Sequence, residues 1–203
     1  MINKQYLLRE FFALCDGGKC EDLLTEAEKR LIREQGVMFL TGVMQRADAE
    51  NGNGRVYPRK TLEREVQNYQ QIINEKRSVG ELDHPEESVI NLKNVSHLVT
   101  EIWWNGNDVM GKIRLLDTPT GRIAQDLIKN GVTLGISSRS LGSVTESRGK
   151  TVVEDDLQLI CFDLVSEPST KGAFMQLREA KQNKPISKSE KLHNILFDIV
   201  GLK

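Results

Sequence analysis

The sequence predicts an α+β fold, a β-rich middle of mostly antiparallel strands with helices around it, and three observations carry that expectation. From Val37 the texture shifts from helical periodicity to β-branched and apolar runs such as "VMFLTGVM". The runs "VSHLVTEIWW" and "DVMGKIRLL" are joined by Asn105, Gly106 and Asn107, a tight-turn signal that sets two strands antiparallel. Amphipathic periodicity appears only in separate stretches, after Pro58, after Pro119 and at the two ends of the chain.

Residues 1 to 35 read as two helical pieces broken at "CDGGKC", because Leu7, Phe11 and Leu14, and then Leu24, Ala27 and Leu31, recur at helical spacing. "ADAENGNGRVYP" is a turn-rich loop, and after Pro58 the set Leu62, Val66, Tyr69 and Ile73 marks an amphipathic helix. Thr118 and Pro119 open a helix carrying Ile123, Leu127 and Ile128, which closes at Asn130 and Gly131. Two strands are expected next, "LGISSRSLGS" and "TVVEDDLQLICFDLV", separated by the polar turn "ESRGK". Past Pro168, "REAKQNKPISKSEK" has linker composition, and Leu192, Ile195, Leu196 and Ile199 form a last short amphipathic helix. One domain over roughly residues 36 to 170, with appendages, fits the length of 203 residues.

Bulk composition excludes several classes. A formal charge of −1 offers no sequence-wide attraction to nucleic acid or to a membrane surface, and no apolar run approaches the length of a spanning helix. The three cysteines, Cys15, Cys20 and Cys161, form neither a disulfide framework nor a zinc-ligand pattern, so no metal and no cofactor is expected and a reducing compartment is.

Two local sequences stand out. "GELDHPEES" places His84 directly before Pro85, which biases its backbone toward an extended or turn conformation and presents the imidazole from a loop or strand end. Any base that titrates near neutrality must be His84, His97 or His193, since the chain has three histidines. His97 alternates with Val95 and Val99 along an expected strand, as a core or cross-strand histidine would, and His193 falls in the terminal helix, which leaves His84 as the best candidate by context. In "GISSRSLGS" the small residues let another backbone approach while amides cradle a developing negative charge, and Arg139 adds a fixed positive charge. The stretch lacks a GxSxG elbow, so on its own it is equally the sequence of a bulge or turn.

Taken in order, "NGRVYP", "GELDHP", "WWNGNDVMGK", "GISSRSLGS" and "FDLVSEPS" resemble the prohead core proteases of T-even-type tailed bacteriophages, over roughly residues 36 to 170. These are serine endopeptidases similar to the herpesvirus assemblins. The resemblance implies a β-barrel-like core with helices packed around it, and action inside a procapsid in the host cytoplasm. The implied partners are scaffolding-core and capsid proteins as substrates and further copies of the chain in a homo-oligomer, with a ring as the form considered; neither nucleic acid nor membrane is among them. The main competing class is a non-enzymatic structural subunit of a phage particle sharing the same core. A metal hydrolase using Glu81, Asp83, His84 and His97 lacks HExxH-type helical spacing.

By the same resemblance His84 is the general base and Ser137 the nucleophile, with Ser138 as the rival one residue along. Asp163, in "FDLVSEPS", is the implied third residue that orients the imidazole, with His97 and Glu101 as alternatives. Arg139 and the amides from Ser138 to Gly142 are expected to stabilise the oxyanion, directly or through a water. Such proteases cut after glutamate in the pattern Leu/Ile-x-Glu with a small residue following. The pattern occurs after Glu10, Glu26, Glu34, Glu75 and Glu179, and only Glu26-Ala27 and Glu179-Ala180 have alanine next. These two sites bracket the β-rich middle and divide the chain into an N-terminal propeptide, 1–26, a protease domain, 27–179, and a C-terminal propeptide, 180–203, with the propeptides expected to occupy or obstruct the active-site groove. A pocket for glutamate needs a cation, and Arg55 in "NGRVYP" is the candidate.

Overall fold

The structure, a computed structural model, describes residues 6–12, 23–85, 87–147, 149–166 and 175–178. The described strands form three sheets, almost entirely antiparallel, with three α-helices beside them. The first sheet has the order β1-β7-β10, with β1 at Tyr6–Phe12, β7 at Gly135–Gly142 and β10 at Gln158–Val165. The second, β11-β2-β6-β5-β4, comprises β2 (Phe39–Arg46), β4 (Val79–Glu81), β5 (Val95–Asn105), β6 (Asp108–Leu115) and β11 (Gln176–Arg178). The third joins β3 (Arg55–Val56), β8 (Val144–Ser147) and β9 (Lys150–Val153), and its β3-β9 ladder is parallel. The barrel-like expectation is therefore met only in part: each sheet keeps two edge strands, and the described residues show no closed barrel.

Local chemistry explains most elements. The β5-β6 hairpin turns at Gly106, whose φ of 58° is the left-handed conformation that glycine adopts without strain. Helix α1 (Glu26–Gln35) starts at a capping box, with Thr25 accepting from the Glu28 amide and Glu28 accepting from the Thr25 amide, and stops at Gly36 in the left-handed region. Helix α2 (Arg59–Asn74) follows Pro58 and buries Leu62, Val66, Tyr69 and Ile73, the stripe its sequence period announces. Helix α3 (Pro119–Lys129) has proline in its first turn and Thr118 as N-cap. The main core gathers Leu40, Val66, Val99, Ile113, Ile136 and Leu164 between these layers, and Tyr69 meets Phe162 edge to face at 5.3 Å.

Two expectations change. Residues 6–12 are a strand and not a helix: their period is too short to decide, and antiparallel pairing along β7 recruits the backbone. The run from Thr151 to Val165 is two strands, because Asp156 caps the Ser143 amide and hydroxyl at 2.8 and 2.7 Å and so turns the chain between β9 and β10. The expected terminal helix around Leu192 to Ile199 lies outside the described residues, as do Glu179, Ala180 and His193.

Candidate active site

Strand β7 sorts its side chains by pleat. Ile136 and Ser138 lie on one face, where Ile136 joins the core and Ser138 accepts a hydrogen bond from Gln45 on β2 at 2.9 Å. Ser137 and Arg139 lie on the other, and both are buried. A one-residue step therefore separates the two serines by the thickness of a sheet, and only Ser137 faces the histidine.

His84 arrives from β4. That strand runs so close to β10 that a Cβ on Gly80 would fall 2.0 Å from the Phe162 carbonyl oxygen and 2.4 Å from His97 Nε2, so only glycine fits. Beyond the strand, Leu82 forms an isolated parallel bridge with Leu164, and the Asp83 amide donates to the Leu164 carbonyl at 2.7 Å. Asp83 then takes a left-handed conformation, φ 70°, and its carboxylate accepts from the His84 amide at 2.8 Å. These contacts hold the loop against β10 and aim the imidazole between two strands.

The resulting geometry is a hydrogen-bonded chain. The Ser137 hydroxyl lies 2.9 Å from His84 Nε2, and His84 Nδ1 lies 3.0 Å from Asp163 Oδ2. Burial alone would raise the Asp163 carboxyl, but the hydrogen bond from His84, the charge of Arg139 and the Glu81 amide outweigh it and hold the group below its ordinary range. An ionised carboxylate only accepts, so Nδ1 carries the proton, and Nε2 is left as the acceptor for the serine hydroxyl.

Arg139 completes the arrangement from beneath. Its guanidinium is fully buried and donates to Asp163 Oδ1 at 3.1 Å, to Glu81 Oε1 at 2.8 Å and to the Glu87 carbonyl at 2.8 Å, and its Nε lies 3.3 Å from Cys161 Sγ. These contacts lie on the Asp163 side, where the guanidinium supports that carboxylate. Two buried carboxylates and one guanidinium leave a single net negative charge, and it becomes balanced when His84 takes up a proton. Cys161, whose thiol burial pushes far upward, donates to Asp163 at 3.4 Å and is no nucleophile.

The remaining candidates are placed elsewhere. Glu101 is paired with the buried Lys112 at 2.5 Å, and Arg55 lies on β3 in the third sheet. Glu26 and Ala27 form the first turn of α1, with the Glu26 side chain exposed. Gln45 was missed in the sequence, and Glu81, three residues before His84 in the same motif, was weighed there only as a metal ligand.

His97 is fully buried behind β4, with Nε2 2.9 Å from the Phe162 carbonyl and Nδ1 2.9 Å from Ser96 Oγ, and it does not reach His84's partners. Burial pushes it down to about 4 against the pull of the Asp163 charge and the Phe162 carbonyl. An unfolded histidine titrates near about 6.5, so between that pH and about 4 the unfolded chain binds a proton that the folded chain refuses. Stability is expected to fall as pH drops through this window, by up to about 3 kcal/mol. Urea midpoints at pH 7 and 4.5 check it: the wild type should lose more than His97→Gln, and equal losses would exclude His97 as the cause.

Comparison with known proteins follows the same lines. A family model described as prohead core protein serine protease matches residues 16–184. The prohead core protein protease of Enterobacteria phage T4 is 31% identical over 153 residues, which are 72% of this chain and 71% of that protein. A solved structure of the capsid assembly protease of bacteriophage T4 matches with a TM-score of 0.66 at 24% identity, over 82% of this chain and 100% of that one, and at this identity the likeness speaks for the fold.

Proposed function

The chain belongs to the prohead core protein serine protease family, and from that premise we propose that it is a serine endopeptidase of procapsid maturation in which Ser137 attacks, His84 relays the proton and Asp163 orients the imidazole. The observation that carries this is the continuous hydrogen-bonded chain from Ser137 through His84 to Asp163, backed by a buried cluster one charge short of neutral. His84 removes the hydroxyl proton as Ser137 Oγ bonds to the scissile carbonyl carbon, and returns it to the leaving amine. Water then hydrolyses the acyl-enzyme by the same relay. A purely structural subunit would have no use for a serine and a histidine held in this relation over a buried acid.

The substrates are scaffolding-core and capsid proteins met inside the procapsid, cut after glutamate in Leu/Ile-x-Glu sequences. The enzyme is made as a zymogen, with 1–26 and 180–203 as propeptides released by cleavage after Glu26 and Glu179. The Glu26–Ala27 bond lies in the first turn of α1, pinned by the Thr25–Glu28 box and by Lys112, which donates to the Leu23 carbonyl at 2.9 Å and pairs with Glu28 at 2.7 Å. A protease takes its substrate extended, so this turn must unwind first, and the bond is released slowly.

The test is processing itself. Purified wild type incubated at high concentration should shorten to residues 27–179 by intact-mass measurement, whereas Glu26→Gln combined with Glu179→Gln should stay full length. Trimming at Glu10, Glu34 or Glu75 while those two bonds survive would refute the assignment of the propeptides.

A further inference from the structure

The outer edge of the Ser137 strand is occupied by the chain itself. β1 pairs antiparallel with β7 from Tyr6 opposite Gly142 to Phe12 opposite Ile136, and β10 holds the other edge. Amides along a strand alternate between its two edges, so those of β7 that do not serve β10 face β1. An extended peptide could add to β7 only where β1 now lies.

The register gives the segment a meaning. Leu8 lies opposite Ser140, Arg9 opposite Arg139, Glu10 opposite Ser138 and Phe11 opposite Ser137. Leu8-Arg9-Glu10 has the Leu-x-Glu pattern, and its glutamate stops one residue short of the nucleophile's position. We propose that residues 6–12 are a built-in pseudosubstrate whose Leu8–Glu10 occupy the places along Ser138–Ser140 that the Leu/Ile-x-Glu of a substrate takes by strand addition. The inference rests on Ser137 being the nucleophile of a glutamate-directed protease.

β1 inhibits instead of being cut because its pairing continues past Ser137, to Phe12 opposite Ile136. The Glu10–Phe11 bond is thereby kept in the plane of the sheet, while the Ser137 hydroxyl points off that plane to His84. A substrate with a small residue after glutamate leaves the ladder at this point and turns its scissile carbonyl toward the hydroxyl. Tethering supplies the high effective concentration that makes even a weak strand pairing inhibitory.

The experiment uses the full chain carrying Glu26→Gln and Glu179→Gln, so that β1 cannot be removed, and a fluorogenic peptide containing Leu-Thr-Glu-Ala. Leu8→Pro with Arg9→Pro deletes two consecutive amides, one of which must face β7 whatever the phase of the ladder. This variant is expected to cleave the peptide on the order of tenfold faster than its parent. Wild type that has released residues 1–26 provides a readout free of any proline-induced folding defect. A synthetic peptide of residues 6–12 should inhibit it competitively, raising KM and leaving kcat unchanged. Equal turnover by the proline variant and its parent, together with no inhibition by the peptide, overturns the pseudosubstrate and leaves the protease standing. No cleavage of the fluorogenic peptide by any form, trimmed wild type included, overturns both.

Discussion

Ser137→Ala is expected to lower peptide hydrolysis on the order of 10⁶-fold, leaving only what binding and oriented dipoles supply, because no other described hydroxyl stands within reach of His84 Nε2. The fold should survive. The lost group is one hydroxyl whose hydrogen-bond partner, His84, is partly exposed and can turn to water, so stability should change by no more than about 1 kcal/mol. Ser138→Ala is the control: it breaks the bond from Gln45 on the opposite face, costs about the same in stability, and should leave kcat/KM within a few-fold of wild type. Hydrolysis rates and thermal midpoints measured on the two variants side by side decide the matter. Normal activity in Ser137→Ala, with loss in Ser138→Ala, would assign the nucleophile to the wrong face of β7.

Helices α2 and α3 were legible because their signals are local: a proline at the start, a capping threonine, an apolar stripe at the helical period. The β5-β6 hairpin was legible for the same reason, since Gly106 states its turn in one residue. β1 was not. Seven residues fit either period, and what makes them a strand is pairing with a partner more than a hundred residues away. The division of the strands into three sheets is equally non-local, which is why a barrel-like core was expected and open sheets were found. At the site, the motif order singled out His84, Ser137 and Asp163, and the sheet geometry brings their side chains together. For Arg139 the sequence shows a charge without showing its depth. Only the fold reveals that it is sealed between Glu81 and Asp163. Glu81 was weighed only as a metal ligand for the same reason, since burial turns an ordinary surface-type residue into half of an ion pair.

Asp163→Asn is the second large effect, expected to cut kcat on the order of 10⁴-fold with KM nearly unchanged. The substitution keeps volume and shape but replaces one accepting oxygen with an NH₂ group. If that group faces His84 it donates to Nδ1, which moves the ring proton to Nε2, so the imidazole presents a donor to Ser137 where it must present an acceptor. If the amide oxygen faces His84, the tautomer is kept but the charge is lost: Arg139 and Glu81 then cancel, and the imidazolium formed during attack becomes an uncompensated positive charge beside a buried, neutral cluster. Both orientations slow the same step, and neither touches substrate binding. The variant should fold, since Arg139 keeps Glu81 as its ion pair and the Glu87 carbonyl as an acceptor. Glu81→Gln tests the division of labour: it removes a carboxylate bonded to Arg139 and not to His84, leaves Asp163 paired with Arg139, and should cost far less activity. Steady-state kinetics of the two variants on one peptide read this directly. Near-normal turnover by Asp163→Asn would mean that the imidazole is oriented by some other group, and an equal collapse in Glu81→Gln would mean that the cluster's charge, and not the contact with His84, is what the reaction requires.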